Sequence, residues 1–182
     1  MADTSGKALI DSMAIVKKLG IVDGLKIADF GCGRTGHFVF PLSKAVGDTG
    51  VVYAVDIIKD ILASIDSRVR SEGYHNVHTV WSDIEKYGAT PIPAGSLDAI
   101  FFVNVFSLLK DSASAIREAG RLLTDTGILV IIDWEKKLGA LGPAADHLIS
   151  PSDFISLAAE NNFKMASQFS AGDYHFCLTF IK

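Results

Sequence analysis

Short apolar runs alternate with amphipathic stretches along most of the chain, and that alternation predicts its architecture. Leu25–Phe30 is an apolar run that ends at a glycine cluster, which predicts a buried strand. Phe38–Val46 has a helical pattern and closes in Gly47-Asp48-Thr49-Gly50, a turn sequence. Val51–Val55 is β-branched and aromatic and predicts a second strand. Lys59–Ser71 places Ile61, Leu62, Ile65 and Val69 at helical spacing. Val77–Trp81 and Leu97–Val103 predict a third and a fourth strand, Ala113–Leu123 a helix, and Ile128–Ile132 a fifth strand introduced by the turn residues Asp125-Thr126-Gly127. Strand–helix alternation of this kind predicts a parallel sheet with right-handed crossovers.

The end of the chain follows another rule. Ser150-Pro151-Ser152-Asp153 is a helix start, with a serine cap, a proline at the first helical position and an acid at the third. Beyond that helix lie two β-like runs, Phe163–Phe169 and Tyr174–Ile181, joined only by Ser170–Asp173. So short a link excludes a crossover helix and predicts an antiparallel hairpin. The expected fold is therefore α/β, a doubly wound and mostly parallel sheet ending in an antiparallel pair. One domain is expected over residues 1–182, with an N-terminal helix region over 1–24 and the core over 25–182.

Composition narrows the classes. The chain has 182 residues, 49% of them hydrophobic, which suits one domain with a sheet covered on both faces. Its formal charge of −4 disfavours a nucleic-acid partner. Cys32 and Cys177 form no CxxC pair, so neither a zinc site nor a disulfide framework is suggested, and a reducing cytoplasm is expected. The opening MADTSGKALI reads as no signal peptide, and Ala99–Phe106 and Ile128–Trp134 are too short to span a bilayer.

The chemistry gathers after the first strand. Gly31, Gly33 and Gly36 spell GxGxxG between a strand and a helix, where glycine lets the backbone turn tightly and approach a ligand. This motif alone fits a dinucleotide enzyme equally well. Asp56 ends the second strand, twenty residues beyond Gly36, where a carboxylate accepts hydrogen bonds from both ribose hydroxyls; its plainer role is to cap the next helix. Two further acids separate the alternatives. Asp29, just before the first glycine, would repel a pyrophosphate but suits a ligand with sulfonium and ammonium groups. Asp83, after the third strand, can accept from an adenine amino group while the Ile84 N–H faces a ring nitrogen; the plainer reading is a loop acid or helix cap.

In their order and spacing these segments resemble the class I S-adenosylmethionine-dependent methyltransferases. The likeness rests on IADFGCGRTG, VVYAVDI, WSDIE, LDAIFFVNVFSLL and AGRLLTDTGILVIIDW, and it covers nearly the whole chain. PLSKAVGDTGVVYAVD and GPAADHLISPSDF are similar to the subgroup containing the menaquinone and ubiquinone C-methyltransferases. The resemblance implies a Rossmann-like, seven-stranded sheet with a reversed last strand, and S-adenosylmethionine as cofactor. It implies that Gly31, Cys32 and Gly33 approach the methionine part and that Asp29 reaches its amino group. Asp56 would hold the ribose, Ile57 would pack on the adenine, and Asp83 and Ile84 would bind the adenine edge. Asn104 matches a position whose backbone carbonyl contacts the amino group. The commoner family motif is GxGxG; here Arg34-Thr35 inserts an extra residue before Gly36.

Methyl transfer from a sulfonium is an in-line displacement, and positioning the acceptor supplies much of the rate. A base is needed where the acceptor is an oxygen or an acidic carbon. Asp133, at the end of the fifth strand, and His147, before the last helix, are the candidates; a cap and a surface residue are their plainer readings. His37 reads as a packing or surface residue, and His75 and His78 lie at a strand's amino end, so no metal site is expected. Two segments are expected to set the acceptor: Met1–Leu19, with a helical apolar pattern, and Trp134–Ile149, the longest connection without a strand. The expected activity is methyl transfer to a small-molecule acceptor in the cytoplasm, and a homodimer is compatible with the chain. The alternatives are an NAD-dependent oxidoreductase and a non-catalytic cofactor-binding module.

Overall fold

A computed structural model describes residues 9–144 and 147–182. In chain order its elements are α1 (Ser12–Lys18), β1 (Lys26–Phe30), α2 (Val39–Val46), β2 (Val51–Asp56), α3 (Lys59–Glu72), β3 (Val77–Trp81), β4 (Leu97–Val103), a 3-10 turn (Phe106–Leu108), α4 (Ser112–Leu122), β5 (Leu123–Trp134), α5 (Pro151–Glu160), β6 (Lys164–Ser170) and β7 (His175–Ile181). The seven strands form one sheet in the order β3-β2-β1-β4-β5-β7-β6. β1 to β5 are parallel, while β7 runs antiparallel to both β5 and β6. The doubly wound sheet with its terminal hairpin is the one the alternation predicted.

Local chemistry starts and stops the helices. Asp11 accepts from the Ala14 N–H at 3.0 Å and opens α1; Asp111 does the same for Ser114 at 2.9 Å and opens α4. At α5 the predicted cap is present in full: Ser150 and Asp153 form a reciprocal capping box with Pro151 in the first turn. The fifth strand differs from expectation. It runs over Leu123–Trp134, so Asp125-Thr126-Gly127 is not a turn between helix and strand. α4 passes straight into the ladder at Leu97↔Leu123, and a register shift before Ala99↔Ile128 absorbs the extra residues as a bulge.

Both faces of the sheet are buried across its central strands β1, β4, β5 and β7, while the edge strand β6 is largely exposed. Ala28, Phe30, Ile100, Phe102, Leu129, Ile131 and Phe176 face one cluster, closed by α4 and α5. Ile27, Val52, Ala54, Phe101, Val130, Ile132 and Cys177 face the other, closed by α1, α2 and α3. The order in which successive strands are added to the sheet reverses between the parallel neighbours β1 and β4. Loops leaving the carboxyl ends of those neighbours diverge and open a crevice, the usual ligand position in such sheets. No helix among the described residues is long and apolar enough to cross a membrane.

Candidate functional site

The glycine loop leaves β1 at that crevice, and its glycines do different work. Gly31 has φ +72°, and its N–H donates to the Val55 carbonyl at 2.8 Å. A Cβ there would lie 2.5 Å from Val105 Cγ2, so the position is closed by packing. Gly33, at φ +64°, has nothing within 4 Å of where its Cβ would stand; that space belongs to the crevice. Gly36 is again closed, against Phe40 and Ile65. The loop thus packs at both ends and leaves open backbone at its centre.

Around this loop lies a cavity of about 280 Å³. Asp29, Gly31, Cys32, Gly33, Asn104 and His175 line it, with Leu9, Ile10, Phe38 and Val103 as apolar walls. Asp29 stands on β1 itself, one residue before its end, rather than in the loop. Its side chain is buried and Oδ1 has no hydrogen-bond partner. Burial, reinforced by the Asp56 charge, pushes its carboxyl up to about 7. Asn104, just past β4, takes φ +55°, a left-handed conformation that asparagine tolerates better than most side chains, and its buried Oδ1 also has no partner among the described residues. Orphaned buried oxygens of this kind are rare in folded proteins and call for a partner that the described residues do not supply.

Asp56, at the end of β2, is buried and already half engaged. Its Oδ1 accepts from the Ile58 N–H at 2.9 Å and its Oδ2 accepts weakly from the Gly33 N–H at 3.4 Å. The remaining lone pairs of both oxygens stay available. Ile57, beside it, is 54% exposed, an apolar surface next to the crevice. Trp81 Nε1 donates to the Ile57 carbonyl at 2.8 Å and so ties the end of β3 to the end of β2. Asp83 accepts from the Glu85 N–H and from Lys86 Nζ, both at 3.1 Å, which fixes its own turn; Ile84 is buried. Cys32 is buried, and burial, Asp29 and Asp56 together push its thiol far up, so it stays protonated. Arg34 turns away to Ser64 Oγ at 3.2 Å.

The two base candidates lie elsewhere. Asp133 is in phase with Leu129 and Ile131, so it faces the α4–α5 side of the sheet, opposite Asp29. There its Oδ1 accepts from the Trp134 N–H at 2.8 Å, Oδ2 is unpartnered, and burial pushes the carboxyl up to about 6. His147 is exposed and does not line the cavity. His37 does line it, and its Nε2 stands 3.0 Å from the Ile10 carbonyl, which anchors the segment before α1. His75 pairs with Asp48, away from the crevice, and among the described residues no group of three His, Cys, Asp or Glu is arranged to hold a metal. His175 is absent from the sequence reading. The pairing of β5 with β7 sets it opposite Trp134, at the carboxyl end of the sheet and on the same face as Asp29. The clue was the short hairpin, which fixes which end of β7 meets the carboxyl end of β5.

Among the described residues no lysine or arginine lines the cavity, and a buried carboxylate does, so the lining favours a cationic ligand over a pyrophosphate. An ammonium group answers the orphaned Asp29 oxygen, and an uncrowded Gly33 leaves room for a ligand against the backbone. These residues fit S-adenosylmethionine.

Residues 21–174 match the family model described as a methyltransferase domain. The solved structure of a SAM-dependent methyltransferase from Aquifex aeolicus superposes with a TM-score of 0.90 at 27% identity, covering 98% of this chain and 93% of that one. A demethylmenaquinone methyltransferase from Lactococcus lactis is 28% identical over 118 residues, which cover 65% of this chain and 45% of that protein. An arsenite methyltransferase from Aquipseudomonas alcaligenes is 32% identical over 117 residues, covering 62% of this chain and 34% of that protein. The chain thus spans less than half the length of these two relatives.

Proposed function

The chain belongs to the methyltransferase domain family, and from that premise we propose that it transfers a methyl group from S-adenosylmethionine to a small-molecule acceptor. One observation carries the reading: a buried carboxylate with an unpartnered oxygen, Asp29, stands in a glycine-walled cavity at the reversal point of the sheet. When bound, the cofactor supplies an electrophilic sulfonium methyl. In this reading Asp29 accepts the cofactor's ammonium hydrogen bond, and the backbone at Gly31, Cys32 and Gly33 lies along its methionine part. Asn104 closes the same end. Asp56 accepts from the ribose, Ile57 covers one adenine face, and Asp83 and Ile84 meet the adenine edge.

The same lining weighs against the oxidoreductase alternative, because the Asp29 carboxylate stands where a pyrophosphate would lie. It also bears on the acceptor. Cys32 and Cys177 are the two cysteines of the sequence, both are buried, and among the described residues no group of three His, Cys, Asp or Glu is arranged to hold a thiophilic element such as arsenic. The reading therefore favours an oxygen, nitrogen or carbon acceptor. Incubation with methyl-labelled S-adenosylmethionine and a panel of hydroquinones, phenols, amines and arsenite tests it. Label is expected in an organic acceptor; label in arsenite alone would reverse the acceptor assignment, and a protein that binds the cofactor but labels nothing on a broad metabolite panel would be a binding module.

A further inference from the structure

One group in the cavity has no part in holding the methyl donor. His175 is 0% exposed, and neither Nδ1 nor Nε2 has a hydrogen-bond partner among the described residues. The imidazole lies against the Trp134 indole, ring centroids 4.2 Å apart, and lines the same cavity as Asp29 and Gly33. Two unpartnered buried nitrogens cost stability, because their desolvation goes uncompensated. A phenylalanine would fill the same slot beside Trp134 without that cost. A polar ring at this position therefore signals a use for it.

Its place in the sheet says what the use is. The glycine loop follows β1, and Asn104 follows β4. His175 opens β7, three strand spacings from β1 in the order β1-β4-β5-β7, or roughly 14 Å across the sheet. The groups assigned to the donor sit over β1 and β4, so His175 sits on the far side of the cavity from them. Burial drives the imidazole down to about 4, so it is neutral near pH 7 and offers one N–H and one lone pair. The described walls, Leu9, Ile10 and Val103 with no lysine or arginine among them, provide no counter-charge for an anion.

We propose that His175 is an acceptor-binding residue, whose imidazole hydrogen-bonds the hydroxyl or amine of an uncharged small acceptor and aligns it with the methyl donor. The inference rests on the methyltransferase reading above. Trp134 holds the ring in place from β5.

His175→Phe and His175→Gln test this alongside the wild type. Removing the orphaned nitrogens should leave the apo protein as stable or raise its Tm by about 2–4 °C. Affinity for S-adenosylhomocysteine should stay within about twofold. With 1,4-naphthalenediol, catechol and aniline as acceptors, and benzoate as the anionic control, H175F should lower kcat/KM for whichever acceptor the wild type methylates by roughly 5- to 100-fold, mostly through acceptor KM. H175Q, which keeps a donor and an acceptor atom, should recover part of that loss. A lowered Tm in H175F would make His175 a packing residue, and a tenfold loss of S-adenosylhomocysteine affinity would assign it to the cofactor. Unchanged kcat/KM would remove its role, and a wild type that methylates only benzoate, or none of the four, would overturn the acceptor class. Failure of the wild type to bind S-adenosylhomocysteine would instead sink the methyltransferase reading itself.

Discussion

Two fully buried carboxylates show how one residue type serves opposite ends. Burial would push Glu118 up, but the Arg121 guanidinium and the N–H groups of Gly88 and Thr90 outweigh it and hold the carboxyl below its ordinary range. Glu118 is satisfied and structural. Asp29 has an oxygen with no partner and is pushed up to about 7. A raised carboxyl means that the folded state keeps a proton that the unfolded chain loses. The stability it contributes is complete below the ordinary value near 4 and is lost as pH rises through about 7. A shift of that size corresponds to roughly 4 kcal/mol at most. Asp29→Asn removes the penalty, so its apo stability should exceed that of the wild type increasingly between pH 4 and pH 8, read from urea unfolding at several pH values. Parallel pH profiles for the two proteins would refute it. The same substitution should weaken S-adenosylmethionine binding at pH 8, since a neutral amide cannot replace a carboxylate opposite an ammonium. The importance of Asp29 was legible from its position before the first glycine. Its isolation was not, because the absence of a partner depends on what the other strands bring near it.

Within the glycine loop, spacing alone ranks Gly31, Gly33 and Gly36 equally, and packing separates them. Gly33→Ala meets open space at φ +64°, so it should cost only left-handed strain of about 1–2 kcal/mol while its methyl intrudes where the cofactor would lie. Gly31→Ala adds a clash with Val105 to the same strain and should destabilise the protein more. Thermal unfolding together with cofactor titration separates the two: G33A should lose affinity out of proportion to stability, and G31A should lose stability first. The reverse ranking would mean that the loop's open side is not the ligand side. The elements themselves were largely legible, because buried strands and capped helices carry local signatures. The start of β5 was not, since Asp125-Thr126-Gly127 has turn chemistry and lies in the register break between the Leu97↔Leu123 and Ala99↔Ile128 pairs, which only the pairing with β4 reveals.

At the scale of the whole molecule, function follows from where the sheet reverses. In the proposed reading the acids at the carboxyl ends of β1 and β2 hold the methyl donor, which leaves the far side of the cavity to the acceptor. Of the two segments expected to set the acceptor, only the first lines the cavity among the described residues. Leu9 and Ile10 wall the cavity, while Met1–Lys7 and Ala8 lie outside the described residues. In the connection after β5, Leu138 and Leu141 pair in an isolated bridge and Gly142 packs on the Trp134 ring, where an added Cβ would come within 3.2 Å. Which side chains meet at the cavity was the least legible feature, since Asp133 and His175 lie on opposite faces by strand phase and hairpin register alone. The central claim is that this crevice binds S-adenosylmethionine. Calorimetric titration of the protein with S-adenosylmethionine and with NAD tests it directly. Saturable binding of S-adenosylmethionine, weakened by about 1.5–3 kcal/mol in Asp56→Ala, and no measurable binding of NAD are expected; tighter binding of NAD than of S-adenosylmethionine would make this a dinucleotide site instead.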